Sequence, residues 1–223
     1  MTPEKYQQSM ATIKKIVTIL FFASLALAVA SVVMVGLFNI AGVFTLQYGA
    51  PGSGSKYEEA FTYPGWQALW YGVGSMIIQG YTEWETDYPL AIAFILALFG
   101  VLILEIMVAV RFKKKGTNRT KAILEFVMAA ILIFAGIMFL ICDKLTVAAA
   151  SKVTAGSYAN YYESYLAPAL AGKDGGYFRL EAYPIILFIV CLLTALVKGA
   201  HGGMLLFQKS FAKKNKPQLG ENK

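Results

Sequence analysis

The chain has 223 residues, of which 57% are hydrophobic and only 15% are charged, and its net charge is +7. Soluble domains usually carry about 25% charged residues, so this composition excludes an ordinary water-soluble domain. The apolar residues are concentrated in four runs, each long enough for a helix to cross about 30 Å of hydrocarbon. The predicted spans are residues 16–40, 89–110, 122–142 and 183–207. The sequence therefore predicts an all-α membrane protein, a four-transmembrane-helix bundle that forms a single membrane domain over residues 1–223.

The placement of the charges predicts the orientation of these spans. Lysine and arginine are concentrated in residues 1–15, 111–121 and 208–223, whereas residues 41–88 are mainly acidic and residues 145–182 are balanced. The positive-inside rule then places both termini and the short middle loop in the cytoplasm and the two long loops outside. Because the basic residues flank the apolar runs, we expect a multi-pass protein of the cell (cytoplasmic) membrane, with lipid rather than nucleic acid as its partner.

The first span begins like a secretory signal peptide. Lys14 and Lys15 precede an apolar stretch that contains the cleavage-like sequence AVAS at Ala28–Ser31. The apolar run continues beyond that point through VVMVGLF, so we expect an uncleaved first helix. Cleavage is the alternative, and it would leave three spans with unchanged orientation.

Both long loops are rich in aromatic residues and differ from disordered linkers. Tyrosine and tryptophan are enriched at protein interfaces, so the loops predict an ordered cap that contacts another membrane protein or a second copy of the chain. An aromatic belt at the membrane interface is the alternative. The candidate contact residues are Trp66, Trp70, Trp84, Tyr161 and Tyr162.

The second and fourth spans begin alike, with TDYP from Thr86 and EAYP from Glu181 before an apolar helix. This similarity suggests two tandem helix–loop–helix units, residues 1–110 and 111–223. Proline in the first helical turn and tyrosine at the membrane interface are each favoured locally, so chance explains the match equally well.

The sequence GWQALW at Gly65–Trp70 resembles the Trp-Gly-Leu-Trp element in the first outer loop of claudin-type tetraspans. Four spans, cytoplasmic termini, a long first outer loop and a shorter second one are also similar to that family. The paired cysteines that follow this element in the family are absent, because YGVGSMIIQG comes next. The resemblance implies an adhesion or barrier role, and it assigns no individual functional residue.

Motifs of common catalytic chemistries are missing from the sequence. It contains no HExxH, no GxSxG, no Walker loop and no GxGxxG before a strand. The single histidine and the two cysteines, Cys142 and Cys191, provide neither a typical metal site nor a CxxC motif. We therefore expect a non-catalytic protein and predict no cofactor and no metal.

Four ionisable residues form a candidate intramembrane polar cluster: Glu105, Glu125, Lys198 and His201. All four lie near the predicted cytoplasmic ends of their spans, and helical spacing puts Thr194, Lys198 and His201 on one face. A charge in hydrocarbon costs about 2.5–3.5 kcal/mol on insertion scales, so the cluster predicts a transport, proton or ligand site. Structural pairing, or a lysine side chain that extends to the surface, is the alternative.

Two functional hypotheses follow from these patterns. The first is a scaffold, adhesion or accessory subunit that acts through the outer aromatic loops. The alternative is a small transporter or channel subunit that uses the polar cluster near the cytoplasmic leaflet. An enzyme acting on lipid would need a nucleophile or metal site, and the sequence shows neither.

Overall fold

The structure is a computed structural model that describes residues 2–47, 60–70, 88–112, 114, 117–150, 167–172 and 176–215. Most of these residues are helical, and four helices are long and apolar enough to cross a membrane. The four helices are Pro3–Leu37, Pro89–Arg111, Asn118–Leu140 and Ala182–Asn215. The chain is therefore a multi-pass membrane protein, as its four apolar runs predicted.

Eleven elements make up the described part of the chain. In chain order they are α1 (Pro3–Leu37), β1 (Gly42–Gln47), β2 (Ala60–Pro64), α2 (Gly65–Trp70), α3 (Tyr88–Ile95), α4 (Val101–Arg111), α5 (Asn118–Leu140), α6 (Cys142–Ala150), α7 (Ala167–Leu170), β3 (Tyr177–Leu180) and α8 (Ala182–Asn215). A π-helical segment at Leu96–Gly100 joins α3 to α4, so the second span contains one widened turn.

The first and last helices extend beyond the predicted spans. Helix α1 begins well before residue 16, and α8 continues well past residue 207. Hydropathy identifies only the apolar part of a helix that crosses the hydrocarbon. The helical backbone hydrogen bonds can continue beyond that part, and charged residues at the helix ends favour this extension. Glu4 lies in the first turn of α1, and Lys213 and Lys214 lie in the last turn of α8, so each charge complements the helix dipole.

A three-stranded antiparallel sheet corrects the all-α prediction. Its strand order is β2-β1-β3, so β1 is central. Phe44 of β1 lies opposite Tyr63 of β2 and Leu180 of β3, and its ring lies 5.0 Å from that of Phe178. The middle of β1 is buried, which suits its β-branched and aromatic residues. The sheet joins the two segments that the sequence analysis treated as long loops.

The chain forms two compact units. The terminal unit consists of Met1–Val32, Phe99–Ile133 and Val190–Lys223, and the sheet unit consists of Val33–Leu98 and Phe134–Ile189. Neither unit coincides with residues 1–110 or 111–223, and the tandem repeat stays a prediction.

In the sheet unit, close packing fixes the start of α2. The backbone N–H groups of Gly65 and Trp66 donate to the carbonyl oxygens of Ala41 and Asn39, each at 3.0 Å. A Cβ atom on Gly65 would lie 2.0 Å from the carbonyl oxygen of Phe38. Glycine is therefore required where GWQALW meets the segment that follows α1.

In the terminal unit, α1, α5 and α8 share an apolar core that includes Ile13, Ala122 and Leu205. Helices α5 and α8 approach closely at Gly202, where an added Cβ would lie 3.3 Å from the carbonyl oxygen of Ala122. Small residues allow such close helix contacts in membranes. This approach brings the neighbouring His201 up against α5.

Candidate functional site

Four ionisable side chains from α4, α5 and α8 meet inside the terminal unit: Glu105, Glu125, Lys198 and His201. We call this group the ionic cluster. Lys198 and Glu125 have no exposed surface, and Glu105 and His201 are 5% and 1% exposed. The structure thus brings all four candidate residues of the intramembrane polar cluster into one connected group, in which Lys198 contacts both glutamates and His201 contacts Glu125.

The ammonium group of Lys198 is the centre of the ionic cluster. Its Nζ donates a short hydrogen bond to Oε2 of Glu105 and a second hydrogen bond, 3.3 Å long, to Oγ of Ser24 on α1. It also lies 3.2 Å from Oε2 of Glu125, an ion pair in which the atoms are not aligned for a hydrogen bond. Lys198 therefore does not extend to the surface, which was the structural alternative from the sequence.

His201 is oriented by Glu125. The distance from His201 Nδ1 to Oε1 of Glu125 is 2.8 Å. An ionised carboxylate only accepts hydrogen bonds, so Nδ1 carries the proton and a neutral imidazole keeps Nε2 as an acceptor. Nε2 is buried and has no hydrogen-bond partner among the described residues.

The ionic cluster has an excess of acidic groups. If both carboxylates are ionised and the imidazole is neutral, the formal charges of the four groups sum to −1, and one added proton brings that sum to zero. Unbalanced charge is expensive away from water, which makes the excess of acidic groups the notable feature of the ionic cluster. Oε1 of Glu105 and Oε2 of Glu125 accept no hydrogen bond from the described residues.

A neutral hydrogen-bonded pair lies one helical turn away from Lys198. Ser31 of α1 and Thr194 of α8 have hydroxyl oxygens 2.7 Å apart, and Thr194 donates to the carbonyl oxygen of Val190 at 2.8 Å. Because the single hydroxyl proton of Thr194 goes to Val190, Ser31 donates to Thr194. This pair fixes the register of α1 against α8, and hence the position of Ser24 beside Lys198.

The geometry of the ionic cluster does not favour a metal ion. The Lys198 ammonium already occupies the place between Glu105 and Glu125 that a bound cation would need. Within the described part of the chain, no three His, Cys, Asp or Glu residues are grouped so as to hold a metal. Cys142 and Cys191 are both buried.

The candidate contact residues of the long loops are largely outside the described structure. Trp66 lies in α2 and is 38% exposed. Trp70 also belongs to α2, but its side chain lies outside the described residues, as do Trp84, Tyr161 and Tyr162. The structure therefore places only one aromatic side chain of this set.

Sequence reasoning missed two residues that bear on the site. Ser24 is a partner of Lys198, but a serine in an apolar run is typical of plain helix packing. Lys121 was expected to be one of the basic residues that flank a span, yet only 4% of its surface is exposed. Each role depends on which neighbouring helix faces the residue, and the sequence alone does not contain that information.

No protein-family model matches the sequence, and no curated protein is significantly similar to it. The resemblance of Gly65–Trp70 to the claudin-type element therefore stays a prediction.

Proposed function

We propose that the protein is a small, non-catalytic transporter or channel subunit of the cytoplasmic membrane, and that the ionic cluster is its proton-binding site. The position of His201 carries this proposal. One ring nitrogen contacts a fully buried carboxylate, the other is buried and unpartnered among the described residues, and His201 as a residue lines a cavity. An imidazole placed in this way connects the cavity to the buried acids.

The proton transfer follows from this geometry. A proton from the cavity binds Nε2 of His201 and makes the ring an imidazolium, whose Nδ1 proton then passes to Oε1 of Glu125 across 2.8 Å. The ring returns to a neutral state with its proton on Nε2, and rotation or exchange with the cavity resets it. After this transfer the ionic cluster is neutral, and Lys198 pairs with Glu105 alone.

The contact of two carboxylates with one ammonium supports the proposal over a simple structural ion pair. A structural ion pair needs one acid and one base, whereas Lys198 contacts both Glu105 and Glu125. Protonation of Glu125 removes one of these attractions, so the pairing of α5 with α8 changes with the charge of the cluster. A coupling site needs two such states with different contacts.

Proton flux into liposomes tests the proposal. Purified protein is reconstituted with a trapped pH-sensitive dye, and a potassium diffusion potential drives protons inward. Glu125→Gln and His201→Gln should each reduce the flux to the level of protein-free liposomes. Glu4→Gln, which removes an exposed carboxylate of α1, is the matched control and should leave the flux unchanged.

Infrared difference spectroscopy measures proton binding independently of any transported solute. A step to lower pH should produce the carbonyl band of a protonated carboxylic acid, and this band should be lost in Glu125→Gln. If the wild type and both variants conduct equally, and the spectrum does not depend on Glu125, the proton-binding proposal is wrong. Variants that do not accumulate as folded protein would instead indicate that the cluster has a structural role.

An accessory or adhesion subunit is the second proposed function, and Trp66 supports it. Two hydrogen bonds fix the backbone at the start of α2, yet 38% of the Trp66 surface is exposed. Tryptophan on a rigid backbone is typical of energetic hot spots at interfaces. Trp66→Ala should lower the yield of a partner that co-purifies at a fixed ratio. Leu170→Ala, an exposed apolar change in the same unit, is the control, and equal yields from both variants would count against this function.

A further inference from the structure

The terminal unit contains a basic cavity of about 700 Å³, which His201 borders together with residues of α1, α5, α8 and the segment between α4 and α5. Four lysines contribute to its lining: Lys14, Lys114, Lys121 and Lys209. Among the described residues that line the cavity, none is acidic. Lys14, Lys114 and Lys209 are exposed, so the cavity opens to the surface on their side.

Lys121 is the informative member of this set, because it is a buried lysine without a carboxylate partner among the described residues. Only 4% of the residue is exposed, and its Nζ donates to the carbonyl oxygen of Phe112 at 2.9 Å. It forms no ion pair with any carboxylate that the structure describes. Buried ammonium groups are normally paired, and the hydrogen bonds of the described residues use only one of its three N–H donors, so the others can bind a ligand of the cavity.

His201 lines the same cavity and has a second polar atom without a hydrogen-bond partner among the described residues. Its buried Nε2 has no partner among the described residues and can accept a hydrogen bond from a hydroxyl group. Asn118 and Gln208, which are joined by a hydrogen bond of 2.9 Å, add amide groups to the lining. Val17 and Leu205 make another part of it apolar. The lining therefore suits a ligand that has negative charge and a hydroxyl group, and it leaves room for an apolar portion.

We propose that this cavity binds a phosphate-bearing anion, supplied by an anionic lipid headgroup or by free phosphate. Lysine is a common phosphate ligand, and basic recesses between membrane helices bind anionic headgroups. The volume lies within the range of about 300–1,000 Å³ that is usual for small-molecule sites. The proposal goes beyond proton binding, and it holds or fails without any measurement of flux.

Binding assays on the full chain in an uncharged detergent test the proposal. The probes are dihexanoyl phosphatidylglycerol, dihexanoyl phosphatidylcholine and inorganic phosphate, each titrated while tryptophan fluorescence and the thermal unfolding midpoint are recorded. We expect phosphatidylglycerol or phosphate to bind and to raise the midpoint, and phosphatidylcholine to do neither. Each lysine removed should weaken the affinity by about fivefold, and added salt should weaken it further.

Three variants assign the binding to this cavity. Lys121→Gln removes the buried ammonium, and the double variant Lys114→Gln/Lys209→Gln removes two exposed lysines that folding does not require. Lys213→Gln, an exposed change on the same helix as Lys209, is the control and should bind like the wild type. If Lys121→Gln does not fold, the double variant gives the answer alone.

The probes also identify the source of the phosphate group. Binding of phosphatidylglycerol without phosphate indicates a lipid headgroup, and binding of phosphate itself indicates the free anion. Equal binding of phosphatidylcholine and phosphatidylglycerol, no binding of either anionic probe, or affinities that the double variant leaves unchanged would each overturn the proposal.

Discussion

Replacing Lys198 with methionine should destabilise the protein more than any other single change in the ionic cluster. Methionine keeps much of the length and volume of the side chain and removes only its charge. Glu105 and Glu125 would then face each other without a cation, and the charge of the cluster would fall from −1 to −2. Removing one partner of a buried ion pair costs about 3–5 kcal/mol, because the remaining charge stays buried.

Glu105→Gln is the informative comparison, since it moves the charge in the opposite direction. It brings the cluster from −1 to zero, Lys198 keeps its contact with Glu125, and the glutamine amide still accepts a hydrogen bond from Lys198. The expected cost is about 1–2 kcal/mol, which is the range for one hydrogen bond that loses its charge assistance. Lys198→Met should therefore cost more stability than Glu105→Gln, although each variant removes one charged partner of the same ion pair.

Thermal unfolding in detergent, followed by circular dichroism, measures this difference. One kcal/mol corresponds to about 2–4 °C for a chain of this size, so Lys198→Met should lower the midpoint by about 10 °C. The double variant Lys198→Met/Glu105→Gln should recover part of that loss. Leu196→Met, an exposed change on the same helix, controls for the methionine itself. A Lys198→Met midpoint equal to that of the control would refute the electrostatic reasoning.

Two further predictions concern the sheet unit. The hydroxyl of Thr45 donates to Glu181 at 2.5 Å, and this hydrogen bond, followed by the contact with Arg179, lowers the pKa of the Glu181 carboxyl below its ordinary value of 4.5. The stabilisation that the ionised Glu181 provides is therefore fully present above pH 4.5 and is lost as the pH falls through the lowered pKa. Thr45→Val should make the stability of the sheet less dependent on pH, as measured by hydrogen exchange of the β1 amides. An unchanged pH profile in this variant would contradict the prediction. Gly65→Ala should lower the unfolding midpoint, because the new Cβ would lie 2.0 Å from a backbone carbonyl oxygen. Gly199→Ala, whose Cβ would have nothing within 4 Å, should instead stabilise the protein by about 0.5–1 kcal/mol. Similar midpoints for the two variants would show that the contact at Gly65 relaxes easily.

The four spans could be predicted because lipid imposes a strict requirement on the length and composition of a helix that crosses it. Both properties can be read directly from the sequence. The sheet could not be predicted in the same way. Gly42–Gln47 is a short strand, and its two partners, Ala60–Pro64 and Tyr177–Leu180, lie on different segments of the chain. Strand pairing at such a sequence separation is decided by tertiary contacts, which a local pattern of residues does not contain.

The ionic cluster was partly predictable for a similar reason. The cost of burying charge singles out the ionisable residues of the spans, and helical spacing puts Lys198 and His201 on one face. The choice of partners depends on the distances between helices. The sequence left open whether Lys198 reached the surface or the carboxylates, and the close approach of α5 to α8 decided it.

His201 links the two proposed activities, because it belongs to the ionic cluster and also borders the basic cavity. A proton on the imidazole adds a positive charge at the cavity, and an anion in the cavity adds a negative charge beside the imidazole. Each ligand therefore favours binding of the other, and by linkage the two effects are equal in free energy. Lysines that only set the topology would show no such coupling, since they need no contact with the buried acids. Proton uptake that depends on the bound anion would thus distinguish a coupled binding site from lysines that only set the membrane topology.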